Sequence, residues 1–196
     1  MQEKRIYFNF SDDRLDFVLS IYAEEIKKRY DWIILAAKEL DEIHSNVRSL
    51  NAVEISTRAF RNSMDLIDNA MIIYRIVNGV GALSSERERV KERVRLLRER
   101  CPQIPDNPPN GLSKIRNDYE HFESRLDDWA VKDKRSNYID MNVGPPTAIY
   151  SSDPNDINLR AYNNGILYFM NREIDLREVV AWARITTKAT EALRNR

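Results

Sequence analysis

Two histidines stand among the 196 residues, His44 and His121, and only His121 is surrounded by residue types that handle a phosphate. The run is Arg116-Asn117-Asp118-Tyr119-Glu120-His121. An imidazole titrates near neutrality and can take up or return a proton. A guanidinium keeps its charge, and its planar fork suits the negative charge that builds on phosphate oxygens. Asn117, one helical turn before His121, is spaced to orient the ring or to bind a phosphate oxygen. This chemistry requires no metal ion. His44 has no companion at ligand spacing and is expected at the surface, and the single cysteine, Cys101, forms no internal disulfide. No metal and no cofactor are therefore expected. The five glycines form neither a phosphate-cradling loop nor a nucleophile elbow.

Other constellations are weaker. Arg87, Lys91, Arg95 and Arg98 belong to a basic stretch that could guide an RNA backbone, but Glu86, Glu88, Glu92 and Glu99 are interleaved with them, the usual pattern of a solvated helix face. Asp12-Asp13 and Asp127-Asp128 are adjacent pairs that diverge on a helix, so they are not paired catalytic carboxylates. Asp12-Asp13 instead suits a helix start. Ser124 and Asp128 share the polar stripe of His121, and Asp128 is a candidate to tune its ring. Trp32, Trp129 and Trp182 are expected as core or interface anchors.

These residues are positioned by helices. Ser11 is a plausible N-cap for a long periodic stretch, one helix or two, carrying Leu15, Val18, Leu19, Tyr22, Ile26, Tyr30, Ile33, Ala37, Leu40 and Ile43. A second runs from about Val53 to Val77 and stops at Gly79 and Gly81. A third opens at Ser85, with Glu88 at capping-box spacing, and ends near Cys101. Five prolines and glycines between residues 102 and 111 make a connector. From Leu112 or Ser113 to about Trp129, Ile115, Tyr119, Phe122, Leu126 and Trp129 mark an amphipathic fourth helix that holds the motif. Residues 131–174 change character, with breakers at Gly144-Pro145-Pro146, Asp153-Pro154 and Asn163-Asn164-Gly165. Short strands are expected at 148–150, 159–162 and 166–170, as a small hairpin or long excursion. Asp175 then caps a last helix, to about residue 194, with a stripe of Val179, Trp182, Ile185, Ala189 and Leu193.

With Ile115 at the centre of the apolar face, Asn117, His121, Ser124 and Asp128 point the other way, and Arg116 lies roughly 140° from His121 at about 100° per residue. A second copy of this helix packed across a two-fold axis brings an arginine and a histidine together more easily than one helix does.

At this point the chain resembles the HEPN superfamily. Its ribonuclease members carry an arginine, four to six intervening residues and a histidine on a late helix of a four-helix bundle, with a polar residue after the arginine. Arg116, Asn117 and His121 fit that pattern, and the resemblance covers roughly residues 12–130. It implies a mainly α, HEPN-like bundle of four to five helices that dimerises through the motif helix. In active members it implies metal-independent cleavage of RNA, with the 2′-hydroxyl attacking and a 2′,3′-cyclic phosphate as product. A toxin or antiphage setting, with an antitoxin or other protein partner, is the corresponding expectation. Glu123 stands where some toxins of the group have a tyrosine, and residues 131–175 lie outside the common bundle. The alternative is a catalytically silent helical module that binds a partner protein, a nucleotide or RNA, because a histidine on a polar helix face is most often simply solvated.

Size and charge fit this picture. A chain of 196 residues suits one domain. Its 31 basic and 31 acidic residues cancel, so an anionic partner must be met by a local patch. Apolar runs such as Trp32 to Ala37 fall far below the roughly 20 residues needed to cross a bilayer. The N-terminus leads into no apolar segment with a cleavage site, so a cytoplasmic protein without membrane contact is expected.

Overall fold

The computed structural model describes residues 8, 11–45, 51–131, 138–144, 157–170 and 172–194. Helix α1 (Asp12–Ser45) is one uninterrupted helix of 34 residues, and α2 is Ala52–Asn78. Leu15, Leu19, Ala23, Ile26, Ile33, Ala36, Leu40 and Ile43 of α1 are buried at helical spacing, against a face of α2 that includes Phe60, Ile67 and Ile73. Contacts of Glu39 with Arg58 and of Arg29 with Asn69 show that the two helices run antiparallel.

The ends of α2 follow capping chemistry. The Asn51 side chain accepts the Glu54 amide at 2.9 Å. Gly79 closes the helix at φ 69° and donates its N–H to the Arg75 carbonyl. A Cβ there would lie 2.6 Å from Val90 Cγ1, so glycine is required both by the left-handed backbone and by the approach of the next helix.

That helix, α3 (Arg87–Arg100), begins without the expected capping box. Ser85 lies in a turn, and the residue preceding the helix, Glu86, makes no side-chain cap. Position is set instead by arginines. Arg93 donates to the carbonyls of Arg75 and Ile76, and Arg98 to the carbonyl of Val77 and the side chain of Asn78, covering the carbonyl end of α2. Arg98 also donates to the carbonyls of Ile104 and Pro105 and to Asp106, anchoring the proline-rich connector.

The single helix expected from 112 to 129 is two helices, α4 (Leu112–Glu120) and α5 (Phe122–Ala130), divided at His121, whose φ −118° and ψ 33° leave the helical region. The reason is tertiary. Tyr119 and Phe122 both pack edge-on against Phe169, with ring centroids 6.0 Å apart in each case, and Asp118 is pinned from α5 and from the sheet.

The excursion holds more than a hairpin. Strands β1 (Tyr138–Ile139) and β3 (Ile157–Asn158) form a short parallel pair. Strands β2 (Asn142–Val143), β4 (Arg160–Asn163), β5 (Ile166–Phe169) and β6 (Arg172–Asp175) form a sheet in that order, with β2 and β4 parallel and the other pairs antiparallel. The turn foreseen at Asn163-Asn164-Gly165 joins β4 to β5, with Asn164 at φ 45° and Gly165 at φ 83°, the backbone that a tight two-residue hairpin requires. The strand expected at 148–150 lies outside the described residues, as does the side chain of His44.

Asp175 caps α6 (Leu176–Ala189) as expected, its carboxylate accepting the Arg177 amide. The inward stripe of α6 differs from the expected one, because Ile185 is exposed and Thr186 is buried in its stead. Thr186 and Thr187 donate their hydroxyls to carbonyls one turn back, which removes the penalty for burying them. Helix α7 (Glu191–Arg194) ends the described chain. Buried residues from the helices and from β4 to β6 form one continuous core.

Candidate functional site

Arg116 rises from the second turn of α4 toward α2 and is mostly enclosed, its side chain 18% exposed. Its Nε lies 2.5 Å from Asp68 Oδ1, and its Nη2 lies 2.8 Å from Glu120 Oε1, one turn further along α4. The same carboxylate oxygen of Glu120 is 4.0 Å from Arg75 Nη2, so two arginines and two acids alternate between α2 and α4. The guanidinium also stands 6.0 Å from the Tyr119 ring. Burial raises the pKa of Asp68 above the ordinary carboxylate value, and the adjacent Arg116 charge opposes that shift. Arg116 Nη1 is buried without a hydrogen-bond partner. Asp68 Oδ1 also lacks an aligned hydrogen bond, so its contact with Nε is a charge contact rather than a directed bond.

His121 stands at the break between α4 and α5 with an exposed side chain. Its backbone keeps the helical connection, donating to the Asn117 carbonyl at 3.1 Å and accepting from Arg125 at 3.0 Å. Among the described residues no hydrogen bond or ion pair joins its ring to Arg116. Asn117, Ser124 and Asp128 are exposed, and Asp128 lies 4.0 Å from Arg125 rather than being paired with the imidazole.

Asp118, within the motif but not singled out by the sequence, is the buried acid that holds the break. Its side chain is 4% exposed and accepts from Arg125 Nε at 2.9 Å and from Arg172 Nε at 2.6 Å. One carboxylate, three residues before His121, thereby joins α4, α5 and β6. Glu120 was open to discovery in the sequence, since it stands four positions after Arg116. Asp68, Arg75 and Arg172 had no local signal, because they come from distant segments.

The basic residues of α3 are placed differently from one another. Arg87 is exposed at the first turn. Lys91 pairs with Glu88 at 2.8 Å and Arg95 with Glu99 at 2.5 Å, as on a solvated helix face. Arg98 is occupied by α2 and the connector. Among the described residues no cluster of His, Cys, Asp and Glu is arranged to hold a metal ion, and no described helix is long and apolar enough to cross a membrane. No protein-family model, curated protein or solved structure matches this chain.

Proposed function

We propose that the protein is a HEPN-like, metal-independent endoribonuclease whose cleft forms where the motif segments of two copies meet. The observation that carries this reading is the division of labour around the break. His121 is exposed and its ring is unengaged by Arg116, while Arg116 is mostly enclosed and held by Asp68 and Glu120 of its own chain. One chain thus presents half of a proton-transfer and phosphate-binding pair, which a two-fold partner would complete. His121 moves the proton of the ribose 2′-hydroxyl or returns one to the leaving oxygen, and Arg116 steadies the phosphate charge that develops during attack. Asn117 orients the ring. A toxin or defence role, with an antitoxin as partner, belongs to the same reading.

A second reading is favoured by the same arginine. Asp68 and Glu120 already neutralise Arg116 within its own chain, and a phosphate must compete with two carboxylates to reach it. A catalytically silent helical module that binds a protein, nucleotide or RNA would tolerate that arrangement.

Labelled RNA incubated with the purified protein in excess chelator separates the two. The nuclease reading expects cleavage to 2′,3′-cyclic phosphate ends, with activity lost by at least roughly a hundredfold in His121→Ala and in Arg116→Ala, the scale of a removed acid-base or charge-stabilising group. No cleavage by the wild type, or equal cleavage by all three proteins, would leave the silent module as the surviving reading.

A further inference from the structure

Four large apolar side chains of α1 face away from the core: Phe17, Ile21, Trp32 and Leu35 are 63, 55, 42 and 58% exposed. At about 100° per residue they fall within an arc of roughly 60°; Lys28 lies inside that arc and Glu24 about 20° beyond its edge, both between the two apolar pairs along the helix. Single exposed apolar residues are ordinary on a protein surface. Four of this size on one helix face, two of them aromatic, mark a contact surface. Arg29 stacks its guanidinium 4.7 Å from the Trp32 ring, which holds the indole in place on that face.

The order of the stripe identifies what covers it. From the N-terminal end it reads apolar pair, acid, base, apolar pair, and it reads as its own complement when reversed. If a second α1 is laid antiparallel across the first, Phe17 of each copy meets Leu35 of the other, Ile21 meets Trp32, and Glu24 meets Lys28. All three pairings centre on the turn around Ile26, as a single two-fold axis demands. A parallel arrangement would set Glu24 against Glu24 and Lys28 against Lys28, which like-charge repulsion disfavours. Lys28, 58% exposed and 3.2 Å from Glu25 of its own helix, remains accessible to the acid of a second copy.

We propose that α1 is a self-association surface, on which two copies of this chain pack antiparallel about an axis that crosses the exposed face at the level of Ile26, over roughly 27 Å of helix at about 1.5 Å per residue. The surface shares no residue with the segment 116–121. It therefore stands independently of the nuclease reading, and with a motif-helix contact whose two-fold axis crosses its own at right angles it would build a closed assembly of four chains rather than two.

Light scattering coupled to size-exclusion chromatography, over a concentration series, tests this with the full chain. The wild type is expected to exceed the 23.1 kDa of one chain, and Phe17→Glu combined with Leu35→Glu is expected to halve its mass. Glu24→Lys alone should weaken association roughly tenfold, the effect of about 1.4 kcal/mol, and adding Lys28→Glu to it should restore association. Rescue by the double swap is specific to the antiparallel pairing. All these positions are exposed, so the helical circular dichroism of each variant should match the wild type. A wild type that stays a single chain at every concentration, a mass indifferent to Phe17→Glu/Leu35→Glu, or a double swap no better than the single change would each overturn the proposal. RNA cleavage is read separately, so failure of one idea does not masquerade as failure of the other.

Discussion

Asp118 is the residue on which the local geometry of the motif rests. A buried carboxylate is tolerated only when its charge is met, and here two guanidinium groups from different elements meet it. Both arginines are near half exposed and can return to water when the acid is removed, so the loss is that of charged hydrogen bonds rather than of stranded buried charges. Asp118→Ala is expected to lower stability by about 2 kcal/mol, read as a lower urea midpoint with an unchanged slope. A variant as stable as the wild type would show that aromatic packing on Phe169 alone sets the bend. Arg116 and Glu120 stand one turn apart, and their pairing was legible from spacing. The second acid on Arg116, Asp68, was not, because it lies 48 positions away on α2 and only the packing of α4 on α2 brings it near.

At the scale of elements, the end of α2 shows how a backbone requirement and a packing requirement coincide. Gly79 as a stop signal was readable, since glycine after a periodic stretch commonly takes the left-handed conformation. That α3 approaches so closely at the same point was not, because the direction of a chain after a turn depends on what it packs against. Gly79→Ala brings both a strained positive φ and a methyl group pressed on Val90, and an expected loss of about 2 kcal/mol follows from adding the two. Thermal unfolding followed by circular dichroism measures it, and a shift of the midpoint no larger than that of an exposed control such as Ser113→Ala would contradict the close approach. The undivided fourth helix is the instructive failure. Residues 112–129 have a periodicity that local rules continue without interruption, and the break at His121 exists because aromatic side chains on either side of it turn to the same phenylalanine of β5.

Taken together, the described residues share one core, to which the helices and the late sheet both contribute. Phe169 is 1% exposed and joins β5 to α4 and α5. Phe169→Ala is expected to remove about 3–5 kcal/mol, as large-to-small changes in cores do. Because the core is shared, hydrogen exchange of the β4 to β6 amides along a denaturant series and helical circular dichroism should report the same lowered midpoint. Separate transitions would mean that the sheet and the helical bundle unfold independently.

Helix-rich character, most helix positions, the glycine stop of α2, the hairpin turn before β5 and the cap at Asp175 were determined by the sequence itself, because periodicity, capping and turn chemistry act between residues a few positions apart. The tertiary structure alone decided the break at His121, the placing of Asp68 as a second acid on Arg116, the burial of Thr186 in place of Ile185 and the order of the four-stranded sheet. Each depends on which distant surfaces meet, and burial then changes what a carboxylate, a hydroxyl or an aromatic ring costs where it stands.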